Sequence, residues 1–365
     1  MSAETSQWLN TQTLIGLTDK RGTAWHYRAE DQGEESNHYV GFVPVEDVER
    51  RLFGWEPGQR DVAIVLKGFR EDAITTFTKD GSIWSVVSVE DQKAVTRDDT
   101  EQVLGVFRPG YTPHSYREWL VDNIGSLLST SKDEVGIGSA GLLRKGGQAW
   151  VQVQVPEAIE VGGTLLLPYL TAATSLDGSL STTYFVGSDV VVCDNTLSAA
   201  TLTAHNMVKF RHSRYSNLRL GEARQELDIL FAATEDMVTA IDRLMNTEVS
   251  SEQFTTVRQI IDPVPESQEG VKWTRWENRR DALMDLWRND ERVAPWTGTA
   301  WGVLMAYNTH EQHVGSFRRT RLTENRGQRN MAGAISGKFE QSDTKVLRAL
   351  EKALEAPLPL IGAGV

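Results

Sequence analysis

The sequence predicts an α+β fold: a strand-rich antiparallel N-terminal body with a packed helix, followed by a mainly helical C-terminal part. Short apolar or alternating runs, separated by Asp, Gly and Pro turns, dominate the first half. Apolar residues recur at helical spacing in the second half. With 365 residues, 40% of them hydrophobic and 24% charged, the chain is long enough for one large or two moderate folded domains.

Runs with strand character come first along the chain. Three of them predict a hairpin-rich antiparallel sheet: Asp61–Arg70, Ser82–Val89 and Val103–Arg108. Apolar residues at helical spacing in Tyr116–Leu128, after a helix start signal at Thr112–Ser115, predict a helix that packs on this sheet. Three further strands, in a second sheet or in a continuation of the first, are predicted at Gly147–Val155, Leu165–Thr174 and Thr182–Cys193.

Helical patterns follow. The segment Leu218–Met245 has apolar residues every three or four positions and contains no proline, which predicts a long amphipathic helix. Ser250 to Gln253 can cap a helix that runs through Gln259 and breaks at Ile261–Pro265. The last predicted helices are Asp281–Arg288, Thr299–Gln312 and Thr344–Glu355. We therefore divide the chain into an N-terminal extension (1–20), a strand-rich body (21–205), a mainly helical part with basic islands (206–355) and a C-terminal tail (356–365).

Charge is distributed unevenly. The net charge is -12, and residues 1–205 hold 16 basic and 28 acidic side chains whereas residues 206–365 hold 22 of each. An acidic body would repel a polyanion everywhere except at a segregated basic face. It could also contact the basic face of a neighbouring subunit, so a homo-oligomer is a secondary expectation.

Two basic islands interrupt this pattern. Residues 205–224 contain five basic residues and one acid, and residues 314–338 contain six basic residues and one acid. Either island can be a solvated helical face or a site for phosphates, and their aromatic residues can pack in the core or stack on bases. The candidate nucleic-acid-binding residues are Lys209, Arg211, Arg214, Tyr215, Arg219, Phe317, Arg318, Arg319 and Arg321.

An enzyme is a weaker alternative. Gly136–Gly141 has the GxGxxG spacing, but a single match is weak evidence for a dinucleotide site. His310 and His313 lack a third metal ligand, and Cys193 follows three valines, which favours a buried and inert thiol. The polar residues Asp194–Thr196 are expected to cap a following helix. We predict no catalytic residue, no cofactor and no metal.

Tryptophans and arginines alternate late in the chain. Five tryptophans lie within 29 residues among several arginines, a composition typical of interfaces and equally of a core with cation–π edges. These tryptophans are Trp273, Trp276, Trp287, Trp296 and Trp301.

No targeting or membrane-spanning segment is expected. The N-terminus lacks a basic stretch followed by a long apolar one, and no apolar run approaches the roughly 18 residues needed for a span. The single cysteine excludes an intramolecular disulfide. We expect a soluble protein of the cytoplasm, with no membrane partner.

Five short motifs occur in a characteristic order: Gly22–His26, Leu104–Val106 leading to Gly110–Pro113, Gly147–Val155, Val192–Leu197 and Gly298–Gly302. In this order the chain resembles the phage/plasmid-like family of unknown function, domain of unknown function 932, over roughly residues 20 to 350. The resemblance implies a mobile-element setting and no established catalytic residues. With the basic islands, it leads us to expect a nucleic-acid-binding protein that binds or anneals single-stranded DNA in phage replication or recombination. The alternative is a non-catalytic protein that engages a host protein.

Overall fold

The computed structural model describes residues 11–21, 27, 29–122, 135–154, 159–190, 195–198, 208–210, 236–315, 326, 329–330, 333, 336 and 338–358. It confirms the α+β class, since antiparallel strands form the N-terminal and middle parts and helices form the C-terminal part. In the part of the chain described, no helix is long and apolar enough to cross a membrane.

The larger sheet is antiparallel. Its described strands run in the order β1-β6-β7-β9-β10-β11, with β8 paired to β9 and β12 paired to β10. Their bounds are β1 Thr13–Ile15, β6 Gly136–Leu143, β7 Gln148–Gln154, β8 Ile159–Val161, β9 Thr164–Ser175, β10 Thr182–Val190, β11 Asn195–Ser198 and β12 Val208–Phe210. Strand β1 lies within the predicted N-terminal extension, yet it pairs with β6 and thereby joins the sheet.

Strand β7 alternates as predicted, but both of its faces are buried. Ala149, Val151 and Val153 enter the main apolar core. Gln152 points to the opposite face, where the register places Ser139 and Thr171 beside it, and both of these are also buried. Alternation predicted a polar face for this sheet but not that the polar face would be covered.

The smaller sheet contains the three predicted N-terminal strands and one that was missed. It comprises β2 Pro57–Lys67, β3 Thr75–Lys79, β4 Ser82–Arg97 and β5 Val103–Phe107, in the order β2-β4-β3 with β5 also on β4. The missed strand, β3, has exposed side chains throughout, so its sequence carries no burial pattern. At the base of the sheet Val95 is buried, and the Arg97 guanidinium lies 4.2 Å from the ring centroid of Trp55.

The helix predicted from Tyr116 is a π-helical segment, Arg117–Asp122, in the described residues. Ser115 Oγ accepts a hydrogen bond from Glu118 N at 3.0 Å, which satisfies one of the free amide groups at its start. Tyr116 is fully buried and donates to Gly146 O at 2.8 Å. The segment therefore packs at the turn between β6 and β7 of the larger sheet, and Tyr116 also shares the apolar core with Val95 of the smaller sheet.

The remaining helices are α1 Thr18–Arg21, α2 Val45–Leu52, α3 at residues 236–245, α4 Ser251–Ile261, α5 Gly270–Asn289, α6 Ala300–Thr309 and α7 Lys338–Leu354. The predicted end of the long amphipathic helix at Met245 is confirmed, and its earlier part lies outside the described residues. The predicted cap of α4 is a capping box: Ser250 Oγ accepts from Gln253 N at 3.2 Å, and Gln253 Oε1 accepts from Ser250 N at 2.8 Å. Helix α5 is longer than predicted.

One apolar core joins the larger sheet to the helices. It contains residues of the sheet such as Leu166, together with Ile241 of α3, Trp301 of α6 and Leu350 of α7. Because these residues share one cluster, the helical part is anchored on the strand-rich body.

Candidate nucleic-acid interface

The residues predicted to bind nucleic acid lie outside the described part of the chain, except for the backbone of Lys209, which pairs with Thr183 in the larger sheet. Their role stays a prediction. Two other arginines of the second island hold the end of a π-helical turn, His310–Val314. Arg326 donates to Gln312 O at 3.1 Å and to Gly315 O at 2.9 Å, while Arg329 donates to Glu311 O at 2.7 Å. These two cations therefore have intramolecular partners.

The tryptophans divide into two groups. Trp287, Trp296 and Trp301 are buried in the apolar core, as the core interpretation predicted. Trp273 and Trp276 are only half-buried and lie one turn apart on α5. Their rings stack, with centroids 5.0 Å apart and an angle of 25° between planes. The Arg280 guanidinium lies 5.3 Å from the Trp276 ring centroid, within range of a cation–π interaction.

Helices α5 and α7 both reach the C-terminal turn of α4. Trp276 Nε1 donates to Asp262 O at 3.0 Å, and Lys345 Nζ donates to Ile261 O at 3.2 Å. A helix leaves its last carbonyl groups without partners, and a cation there also interacts favourably with the helix dipole. The turn therefore brings the stacked tryptophans of α5 and the cations of α7 to the two sides of one helix end.

An open groove of about 500 Å³ lies between α4 and α7. Its basic residues follow one face of α7, and its wall also contains Ile260 of α4 and Glu340. These basic residues are Lys345, Arg348 and Lys352. The groove therefore has an excess of positive charge, in contrast to the chain as a whole.

Beside this turn, four buried polar atoms have no hydrogen-bond partner among the described residues. They are Arg258 Nε of α4, Arg279 Nε of α5, Tyr307 Oη of α6 and His310 Nδ1. We call this set the donor cluster. Arg279 Nε lies 3.6 Å from an oxygen of Asp262, which is an ion pair without a hydrogen bond. A hydrogen-bonded partner is the rule for buried polar atoms, so these four atoms have hydrogen-bonding capacity left for a bound group.

Electrostatics shows that the members of the donor cluster share one neighbourhood. Burial, and after it the positive charge of Arg279, lower the pKa of His310 to about 4. Burial raises the pKa of Tyr307, and the charges of Arg279 and Arg258 act on the same hydroxyl in the opposite direction. At neutral pH the cluster therefore combines two guanidinium groups with a neutral imidazole and a neutral phenol.

This donor set suits an oxyanion. Guanidinium N–H groups and a phenol O–H donate hydrogen bonds, and a neutral imidazole donates from whichever ring nitrogen carries the proton. Arginine is the side chain best matched to phosphate and carboxylate geometry. Sequence analysis missed the cluster because its members come from three helices and the π-helical turn that follows α6. Its one sequence signal was His310, which was considered there only as a metal ligand.

The late motif Gly298–Gly302 has a structural explanation. Gly298 has a φ of +85°, which glycine adopts without strain. The Thr299 hydroxyl accepts from Gly302 N at 3.1 Å and thereby caps α6. A Cβ atom on Gly302 would lie 2.1 Å from Trp296 O. The motif thus lets α6 begin directly against the backbone of the preceding turn.

Two other sequence interpretations are resolved. Gly136–Gly141 belongs to strand β6, and a Cβ atom on Gly141 would lie 2.1 Å from the Trp150 ring. These glycines make room for neighbouring side chains. They lie within a strand, whereas the GxGxxG motif of a dinucleotide site lies at the start of a helix.

Asn195 and Thr196 begin strand β11, which pairs with β10 as a hairpin. The prediction of a helix cap was therefore wrong for Asn195 and Thr196, and Asp194 lies outside the described residues.

The fold and site define an α+β protein with an antiparallel sheet, a helical C-terminal part and a cationic, aromatic surface at the end of α4. A family model described as a domain of unknown function (DUF932) matches residues 103–333, which is more than half of the chain. The chain belongs to this family. Neither a curated protein nor a solved structure matches it.

Proposed function

We propose that this protein binds single-stranded nucleic acid at the end of α4. A backbone phosphate occupies the donor cluster, and adjacent bases stack on Trp273 and Trp276. The observation that supports this proposal is the set of four buried polar atoms without a hydrogen-bond partner among the described residues, located beside a stacked pair of half-exposed tryptophans. Stacking on aromatic side chains combined with cationic contacts to the backbone is how proteins bind single strands without strong sequence preference.

The groove between α4 and α7 extends the cationic surface from the same helix end, with Lys345, Arg348 and Lys352 available to neighbouring phosphates. The predicted basic residues of the two islands, such as Arg211 and Arg318, would add further phosphate contacts. In this proposal the protein acts in the replication or recombination of a phage or plasmid, where single strands are exposed. Single-strand binding, or annealing of complementary strands, is the activity we propose.

The test is fluorescence anisotropy of labelled single-stranded and duplex DNA across a salt series. Binding through phosphates must weaken as salt rises, because counterions are released on binding. Trp273→Ala removes one stacking surface. Its cost, about 1–3 kcal/mol per base, corresponds to roughly a fivefold to hundredfold loss of affinity. Arg280→Ala removes the cation that lies beside the Trp276 ring. Arg288→Ala is its matched control, because it removes the same charge from an exposed position on the same helix.

A second variant separates binding from folding. Tyr307→Phe removes only the hydroxyl, which is buried and has no partner among the described residues. Without a ligand the variant should be as stable as the parent or more stable, because a buried unpaired hydroxyl is costly. With single-stranded DNA it should bind roughly threefold to tenfold more weakly, the loss of one hydrogen bond of about 0.5–1.5 kcal/mol.

Three results would count against the proposal. The first is that the parent protein does not bind single strands at low salt. The second is that Trp273→Ala and Tyr307→Phe bind as the parent does. The third is that Arg288→Ala weakens binding as much as Arg280→Ala. The quadruple replacement of Arg211, Arg214, Arg318 and Arg319 by alanine tests separately whether the basic islands take part.

A further inference from the structure

His310 enters the donor cluster from the turn that follows α6. This π-helical turn, His310–Val314, ends at Gly315, whose N–H donates to His310 O at 2.6 Å. The Arg326 guanidinium donates to Gln312 O at 3.1 Å and to Gly315 O at 2.9 Å. A planar guanidinium bridges two acceptors at once, and carbonyl groups at a helix end otherwise lack partners. One side chain of the second basic island therefore holds the turn that carries His310.

Gly315 makes room for the His310 ring. Its φ of −54° is one that any residue adopts, so the backbone conformation does not call for glycine. A Cβ atom at this position would lie 3.1 Å from His310 Cε1 and 3.4 Å from His310 Nδ1. Without that atom, the space beside Nδ1 stays open while the ring lies against the backbone of the turn. A shift of Gly315 would therefore shift the imidazole.

Arg326 is the member of the second island that holds the backbone beside the ring. Arg329 donates to Glu311 O at 2.7 Å, which fixes the turn one residue after His310, whereas Arg326 donates to the carbonyl of Gly315 itself. Arg326 is half-buried, and two of its N–H groups are used by backbone carbonyls. This geometry favours a role within the fold of the site over direct contact with a phosphate.

Electrostatics places Arg326 near the imidazole as well. Burial, then the charge of Arg279, and also the charge of Arg326 lower the pKa of His310, while Glu311 and Asp262 act in the opposite direction. The guanidinium thus lies within electrostatic range of the ring and in hydrogen-bond contact with the turn that carries it.

We propose that Arg326 is a positioning residue for the nucleic-acid site, which holds the π-helical turn so that His310 Nδ1 is available to a bound phosphate. This role rests on the proposed function, because it concerns the same donor cluster. It divides the second basic island into residues that would meet nucleic acid directly, such as Arg318, and one that shapes the site from within the protein.

The test measures the affinity for labelled oligothymidine by fluorescence anisotropy. Arg326→Lys keeps the positive charge, and a lysine in direct contact with phosphate would still bind it as a point charge. A single ammonium group does not reproduce the planar bridge between two carbonyls. We therefore expect Arg326→Lys to bind about threefold to tenfold more weakly than the parent, as for the loss of one hydrogen bond.

Arg51→Lys is the matched control. The Arg51 guanidinium also donates two hydrogen bonds within the fold, to Ser36 O at 2.7 Å and to Tyr39 Oη at 2.8 Å, but in the N-terminal part of the chain. This variant should bind as the parent does. Urea unfolding of each variant verifies that it is folded.

A double-mutant cycle asks whether Arg326 acts through His310. His310→Phe keeps a ring but removes both nitrogens. In this background Arg326→Lys should change the affinity by less than about twofold, because the group that it positions is absent. Gly315→Ala, which moves the ring while Arg326 stays in place, should weaken binding as Arg326→Lys does.

The outcomes separate this role from the proposed function. A parent that does not bind oligothymidine would overturn the proposed function and this role with it. A parent that binds, together with an Arg326→Lys variant of parental affinity, would overturn the positioning role alone. An equal loss from Arg326→Lys in the parent and in His310→Phe, or an equal loss from Arg51→Lys, would overturn it in the same way.

Discussion

His310 should make the protein sensitive to mild acid. The side chain is buried, its Nδ1 atom has no hydrogen-bond partner among the described residues, and its pKa is lowered to about 4, first by burial and then by Arg279. Arg326 also lowers this pKa, while Glu311 and Asp262 act in the opposite direction. Replacing His310 by glutamine retains a polar side chain but removes the titration.

The magnitude follows from the two protonation states. The unfolded chain takes up a proton near the ordinary histidine pKa of 6.5, whereas the folded chain takes it up only near pH 4. Each pKa unit is worth about 1.4 kcal/mol, so full protonation favours the unfolded chain by about 3 kcal/mol. Because the folded pKa is the lower one, this stability is present above pH 6.5 and is lost as the pH falls toward 4.

Urea unfolding at several pH values between 7.5 and 4 measures the effect. The difference in free energy of unfolding between the parent and His310→Gln should change by about 3 kcal/mol across this range, with the parent losing more. His38→Gln, the same replacement at another site, should keep the acid sensitivity of the parent. Parallel pH curves for the parent and His310→Gln would refute the reasoning.

The same histidine tests the donor cluster. An oxyanion bound beside His310 would favour the imidazolium form and raise its pKa. Inorganic phosphate or a short single-stranded oligonucleotide should therefore reduce the acid-induced loss in the parent but not in His310→Gln. An equal effect of the anion on both proteins would argue against a site at this cluster.

Three further predictions concern stability. Asp343 is fully buried, and burial raises its pKa. Its contribution to the free energy of unfolding is therefore greatest below the ordinary pKa of 3.8 and is lost as the pH rises. Asp343→Asn should add about 1–3 kcal/mol to the free energy of unfolding at pH 7.5, and unchanged urea unfolding would contradict this. Gly302→Ala would force a Cβ atom to within 2.1 Å of Trp296 O and should lower the free energy of unfolding by more than about 2 kcal/mol. Gly41→Ala is the control, because its Cβ atom meets open space and the change should be nearly neutral. Similar melting temperatures for the two variants would refute this. Ser250→Ala removes half of the capping box of α4 and should cost about 1 kcal/mol in thermal unfolding, and a cost near zero would mean that the cap is not formed in solution.

Much of the fold was predictable because it depends on local patterns. The alternation in β7, the capping box before α4 and the proline break after it are each encoded within a few consecutive residues. Strand β3 was missed because its exposed, threonine-rich sequence has no burial period to detect. The hairpin at β11 was missed because Asn195 is equally compatible with a helix cap and with the start of a strand.

The candidate site was predictable only in kind. The sequence alone indicated arginine-rich and tryptophan-rich segments, but it did not distinguish Trp273, which is half-exposed, from Trp301, which is fully buried. Both lie in the same segment, which is rich in tryptophan and contains several arginines. Burial depends on how α5 and α6 pack on the core, and helical spacing constrains the faces of a helix without saying what covers them.

The sequence by itself determined the class of the fold, most element positions, the acidic charge of the body and membership of a family that the ordered motifs resembled. Tertiary structure alone decided that Arg258, Arg279, Tyr307 and His310 share one neighbourhood, and that the second face of β7 is buried while most of residues 62–89 in the smaller sheet are exposed. The physical reason is the separation along the chain of the residues that interact. Strand alternation, capping and turns are set by interactions between residues a few positions apart, whereas desolvation of a polar atom depends on groups brought together from distant parts of the chain.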